Sequence, residues 1–350
     1  MNFNRRDFGK LALAAAAAPT GALLAAKPNS VFSGVQLGVI TYSFRDMPEA
    51  HTSAEKMLEY IIASGSSGIE FMSDAAEAYA GSPAVAYAQQ GRGPGGPGGP
   101  GGARGGSGGG RGGAGFGGGR PQMTPEQRAA MQAQQQSRAE ELKKWRLSVS
   151  MDKYKALRKM YNDAGVTIYC LKLEPNANMS DDEMDYVFTV ATTLGATSVT
   201  TELSNNAAFT QRAGDFALKH GVVTAYHAHE QARIDAWDAV LAQSKGNAVN
   251  LDCGHYYAGT GQSPIPALQK LHDRIASIHL KDRTPSAPGV PGANLPWGQG
   301  STPIVEILQL MRDQKWKFPA SVELEYQVPA GSDSVVEVKK CIEYARKALA

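Results

Sequence analysis

Four short apolar runs in the second half of this chain each stop at a residue that can bind a divalent metal. Val222-Val-Thr-Ala-Tyr closes on His227, with His229 and Glu230 just beyond. Ala248-Val-Asn-Leu closes on Asp252, followed by Cys253, Gly254 and His255. Ala276-Ser-Ile closes on His279, followed by Leu280, Lys281 and Asp282, and Ala320-Ser-Val closes on Glu323, followed by Leu324 and Glu325. Runs this short and apolar are typical of parallel strands buried on both faces. Polar stops at the same end of successive runs place those ends on one side of a sheet.

The same alternation extends back to the start of the folded region. Strand-like runs occupy residues 36–43, 68–72, 166–173 and 197–202. Between and after the strands lie helical patterns at 54–64, 151–164 (closed by Gly165), 180–194 (opened by a Ser180–Glu183 capping box) and 207–220. Further helices are predicted at 232–244, around 265–270, at 302–314 with Thr302 as cap and Pro303 at its first position, and at 334–349. Eight strands, each followed by a helix, predict a closed α/β (β/α)8 TIM barrel. The alternative is a doubly wound open sheet, but no Gly-rich phosphate fingerprint follows the first strand. In a barrel, Glu70, Glu202, His227, Asp252, His279 and Glu323 would surround one mouth.

Composition narrows the partners. Thirty-five basic and 33 acidic side chains leave a net charge of +2, with no sustained basic stripe of the kind a nucleic-acid binder uses outside the Gly-rich insertion at 91–120. Three cysteines make no disulfide framework. Residues 1–26 pair Arg5-Arg6 with an Ala-rich apolar run and resemble a twin-arginine export signal, which implies the matching export machinery and a periplasmic or otherwise exported protein. Pro19 and Gly21 interrupt that run and argue against a lasting membrane span. Residues 27–350 form the barrel domain. Within it, after the second strand, residues 91–120 are nearly all Gly, Arg and Pro and are predicted to be a disordered insertion. The polar, Gln-rich stretch at 122–144 reads as helical.

Two imidazoles and two or three carboxylates at one mouth suit Mn²⁺, Mg²⁺, Co²⁺ or Zn²⁺. The segments Asp252-Cys-Gly-His255, Ser277-Ile-His279-Leu-Lys281-Asp282, Trp297-Gly-Gln-Gly300 and Ser321-Val-Glu323 together resemble the xylose isomerase-like TIM barrel family. The likeness runs from about residue 35 to the C terminus, without the insertion. It implies a divalent metal and a small sugar substrate. In the family's sugar epimerases, Glu, Asp, His and Glu at the ends of strands five to eight hold the ion, and Asp252, His279 and Glu323 match the last three. The fifth-strand Glu is replaced here by His227, in a Tyr-His-Ala-His pattern that resembles inosose dehydratase-like members. Glu202 or His227 is left to complete the shell. His229, His255 and Lys281 are the candidates for substrate contact and proton transfer.

The resemblance therefore implies a sugar isomerase or epimerase working through a metal-stabilised enediolate on a free or keto sugar. A lyase or dehydratase acting on keto sugars is the alternative, and a non-catalytic carbohydrate-binding barrel is another. Phosphodiester hydrolysis like that of endonuclease IV needs three zinc ions and more His ligands than this mouth supplies. Glu70 is open between substrate contact and an ion pair at the barrel rim, and Trp297 and Tyr42 between a wall for a sugar ring and ordinary packing; Glu325 points the same way as Glu323, which is favoured over it. The oligomeric state is left open.

Overall fold

Eight parallel strands close on themselves in the computed structural model, which describes residues 27–86 and 124–350. The export signal read at 1–26 and the Gly-rich insertion read at 91–120 lie outside the described residues. The strands are β1 (Val35–Ile40), β2 (Gly68–Met72), β3 (Thr167–Lys172), β4 (Ser198–Glu202), β5 (Val223–His227), β6 (Asn247–Asp252), β7 (Ile275–Leu280) and β8 (Ala320–Val322). Each pairs in parallel with the next, and β8 pairs with β1. A closed ladder leaves no exposed strand edge, which distinguishes the barrel from the open sheet.

Local signals account for most helices. The helix Asp181–Leu194 starts at the Ser180–Glu183 capping box and stops at Gly195, whose φ of 86° suits glycine. The helix Ala54–Ser64 buries Met57, Leu58 and Ile61. The helix Pro125–Arg146 begins at a Thr124–Gln127 capping box and buries none of its own residues. It is tied down at its end, where Arg146 donates to both carboxylate oxygens of Glu77 (2.8 and 3.0 Å) and the Tyr186 hydroxyl donates to the same group. No helix among the described residues is long and apolar enough to cross a membrane. Cys170, Cys253 and Cys341 are buried and unpaired.

Two helix expectations are corrected. The helix expected over 232–244 is only Asp238–Gln243. The preceding residues form a loop at the mouth, pinned where the Trp237 indole donates to Tyr226 O at 2.8 Å, so the apolar positions there anchor a loop. Thr302 does not cap the helix Ile304–Asp313; Pro303 stands at the cap, and the Thr302 hydroxyl accepts the Arg283 backbone N–H instead. Two helices were not anticipated, Ser73–Ala80 after β2 and Cys253–Thr260 directly after β6.

The barrel interior explains two glycines. Tyr169 crosses from β3 to share a 2.7 Å hydrogen bond with Ser321 Oγ on β8. A Cβ at Gly38 on β1 would overlap the Tyr169 hydroxyl and ring edge, and one at Gly68 on β2 would crowd the same ring. A Gly38→Ala substitution should therefore overpack the barrel and lower stability by about 1–3 kcal/mol. Urea unfolding checks this; an unchanged midpoint would mean that Tyr169 shifts freely.

Candidate active site

The site is built where the strands end. All six residues of β6 are buried, and the strand stops at Asp252, which caps the helix Cys253–Thr260. Its Oδ1 accepts the His255 backbone N–H at 2.6 Å. Oδ2 is buried and accepts no hydrogen bond among the described residues. Lys281 Nζ approaches it at 2.9 Å without hydrogen-bond alignment, and His279 Nδ1 lies 3.9 Å away. Burial pushes the Asp252 carboxyl up to about 6, against the pull of Lys281.

His279, at the end of β7, sits between two carboxylates. Its Nδ1 is 2.9 Å from Glu323 Oε2 and its Nε2 is 2.7 Å from Glu70 Oε2. Glu70 is fully buried and also accepts the Thr200 hydroxyl at 2.6 Å. Burial opposes charge on His279, but Glu70 and Glu323 outweigh it and raise the imidazole to about 10. Burial likewise pushes Glu70 up, and His279 more than reverses this. Glu70 is thus a support for His279 beneath the mouth, in the way a carboxylate orients a histidine that could take a metal.

His227, at the end of β5, carries a different support. Its Nδ1 is 2.8 Å from Asn250 Oδ1, and Asn250 Nδ2 donates to Ser277 Oγ at 2.7 Å. The amide oxygen only accepts, so the His227 proton is on Nδ1 and Nε2 presents a lone pair. Burial, helped by His279, holds His227 well below its ordinary value. Ligand atoms of His227, Asp252 and His279 lie within 4.8 Å of one another, all three residues buried. Two imidazoles and a carboxylate oxygen without a hydrogen bond are a donor set that fits a divalent transition metal or Mg²⁺.

Lys281 is 2 % exposed and sets the charge balance. Its Nζ lies 2.9 Å from Asp252 Oδ2, 2.8 Å from Glu323 Oε2 and 2.8 Å from Glu325 Oε2. Burial disfavours the ammonium, but the three carboxylates outweigh it and raise its pKa. Burial also raises Glu323, and Lys281 and His279 together hold it well below the usual carboxylate range. Lys281 is therefore a committed counter-ion, not a free base.

The remaining sequence candidates fall around this centre. Glu202 does not join the buried trio; its carboxylate faces Lys172 at 3.2 Å and His229 Nδ1 at 3.5 Å. His229 is partly exposed at the mouth, its ring 4.9 Å from His227 and 4.7 Å from His255. His255 is buried, with Nδ1 against Arg283. Trp297 packs edge-on against Tyr344 of the last helix, and Tyr42 lies under the Arg45 guanidinium. Sequence reasoning missed Lys172, Thr200, Asn250, Ser277 and Arg283. A signal for two of them exists, since Asn250 and Ser277 stand two residues before Asp252 and His279, on the same strand face.

Comparison with known proteins places this geometry. The family described as xylose isomerase-like TIM barrel matches residues 133–347. No curated protein sequence matches. Among solved structures, the probable 3-DHS dehydratase AsbF from Bacillus anthracis is 13% identical, with a TM-score of 0.54 over 88% of this chain and 98% of that one. The 3-keto-D-glucoside 4-epimerase YcjR from E. coli is 9% identical, with a TM-score of 0.52 over 89% and 99%. An L-ribulose 3-epimerase is 11% identical, with a TM-score of 0.51 over 90% and 95%. At these identities the likeness is one of fold.

Two outcomes follow from the supports of His279. Glu70→Gln should weaken divalent-metal binding by about 10- to 100-fold, as loss of an orienting partner does; competition against a chromophoric chelator measures it, and unchanged affinity would remove Glu70 from that role. In the ion-free protein, the raised His279 pKa contributes stability that is complete below its ordinary value near 6.5 and is lost as pH climbs through about 10. The difference in melting temperature between this protein and His279→Asn should therefore shrink as pH rises from about 7 to about 10. A constant difference would contradict the ion-pair assignment.

Proposed function

This chain belongs to the xylose isomerase-like TIM barrel family, and on that basis we propose that it is a metal-dependent sugar isomerase or epimerase. Its substrate is a free or keto sugar. The observation that carries the reading is the convergence of His227, Asp252 and His279 beneath a mouth rimmed by further histidines. His227, Asp252 and His279 would hold the ion, with Glu323 beside His279. Such an ion supplies positive charge where a sugar carbonyl and its neighbouring hydroxyl gain negative charge.

The protein's own groups do the rest. Glu70 and Asn250 hold the two imidazoles in orientation. Lys281 keeps Asp252, Glu323 and Glu325 from repelling one another. His229, partly exposed and backed by Glu202, is the group with access to a bound sugar and with a pairing that suits a base. It removes the proton beside the carbonyl. Returning that proton to the neighbouring carbon isomerises the sugar, and returning it to the opposite face of the same carbon epimerises it.

One observation favours a second reading, a lyase or dehydratase. The fifth strand ends in His227, where the family's sugar epimerases carry a carboxylate that works on one face of the substrate. A single base on one side suits removal of a proton followed by expulsion of a β-hydroxyl. The fold likeness to a probable 3-DHS dehydratase is compatible with this and that to two epimerases with the first reading. The same proposal takes residues 1–26 as an export signal, which fits a free, unphosphorylated sugar.

Mn²⁺-loaded protein in D2O should place deuterium on carbon next to the carbonyl in one member of a panel of keto sugars, read by NMR and mass. His229→Asn should slow that exchange by about 100-fold or more while metal content stays unchanged. Tight sugar binding without exchange would instead identify a carbohydrate-binding barrel.

A further inference from the structure

Arg283 has no role in the chemistry above, yet its guanidinium is buried at the side of the mouth. It ends the short strand Asp282–Arg283 that leaves β7. That segment is held firmly. Asp282 accepts the backbone N–H groups of Gly298 (2.8 Å), Gly300 (2.9 Å) and Thr302 (3.1 Å), and the Arg283 N–H donates to Thr302 Oγ1. The side chain is held too: NH2 donates to Glu230 Oε1 at 2.7 Å and to Gly292 O at 2.6 Å, while Ser286 donates to the other Glu230 oxygen.

The remaining contact is NH1 to His255 Nδ1, at 2.7 Å. A guanidinium has only N–H donors, so Nδ1 must accept with its lone pair. A ring with Nδ1 unprotonated carries its proton on Nε2. That nitrogen lies 3.9 Å from Glu325 Oε2, beyond hydrogen-bond range, and the ring stands 4.7 Å from His229 on the mouth side. His227, His229 and His255 also bring ligand atoms within 4.8 Å of one another, but His255 has no lone pair to offer: Arg283 uses one and a proton covers the other.

We propose that Arg283 is a positioning residue that fixes His255 as an Nε2–H donor to a substrate oxygen and keeps it out of metal coordination. The proposal rests on reading the mouth as a sugar site. Glu230, from the loop after β5, holds Arg283 in turn, so the donor is set by three segments of chain. A protonated imidazole nitrogen with fixed direction is suited to polarise a carbonyl or bind a hydroxyl without competing for the ion.

The test reads the tautomer directly. In the whole Mg²⁺-loaded protein labelled with ¹⁵N-histidine, and with His255→Gln to assign the signals, His255 should show the Nε2–H form. Arg283→Met should lose that form. On the keto sugar that exchanges deuterium, it should lower kcat by about 100-fold, the scale of one lost oxyanion donor, with KM and metal content little changed. An Nδ1–H signal in the unmodified protein, an Nε2 bound to metal, or an unchanged tautomer in Arg283→Met would each overturn the proposal. Should Arg283→Met fail to fold, the spectrum of the unmodified protein decides, and Glu230→Gln, which loosens Arg283 without removing it, should broaden or mix the tautomer signals. If no sugar exchanges while the Nε2–H form is present and Arg283-dependent, the sugar reading falls and the tautomer assignment stands.

Discussion

Closing the barrel forces acidic groups into a space from which water is excluded, and everything at the mouth answers to that constraint. Glu70, Asp252 and Glu323 are buried within one small volume. Unpaired, each would be costly by several kcal/mol. Two cations from the end of β7 and the residue just past it compensate them: His279 between Glu70 and Glu323, and Lys281 between Asp252, Glu323 and Glu325. His279 stands near the end of β7 and Lys281 directly after it, two residues apart, so the end of a single strand places both cations.

The same pleat stacks supports beneath the residues at the strand ends. Asn250 lies under Asp252 and reaches sideways to His227; Ser277 lies under His279 and holds Asn250; Ser321 lies under Glu323 and holds Tyr169. At the ends of β6, β7 and β8 an upper residue faces the mouth and the residue two before it fixes a neighbour. The arrangement explains why His227 presents a lone pair while His279 is protonated when no ion is bound. One has an amide oxygen beside it, the other two carboxylates.

Much of this was legible in the residues. Apolar runs of three to five residues stopping at His, Asp and Glu indicated parallel strands opening on one mouth, and the eightfold alternation indicated closure. The Ser180–Glu183 cap was read as it stands. The failures have local causes. Ala232 and Trp237 mimic a helical stripe but are buried as anchors of a loop. Thr302 before Pro303 looks like a helix start, yet its hydroxyl serves the backbone of Arg283, which is nineteen positions earlier in sequence and adjacent only after folding.

By itself the sequence determined the strand-and-helix order, the closed parallel barrel and the set of residues at the strand ends, because periodicity and end-of-strand chemistry are local properties. It also limited the mouth to groups that take a divalent ion. Tertiary structure alone decided the partners. Glu70 was open between a sugar contact and an ion pair until closure of the ladder set it against His279; Glu202 and His227 are register partners, and only their side-chain neighbours separate them, Lys172 and His229 for one, Asp252 and His279 for the other. Which nitrogen of a histidine carries the proton depends on a neighbour from another strand, and contacts between strands exist only once the barrel has closed.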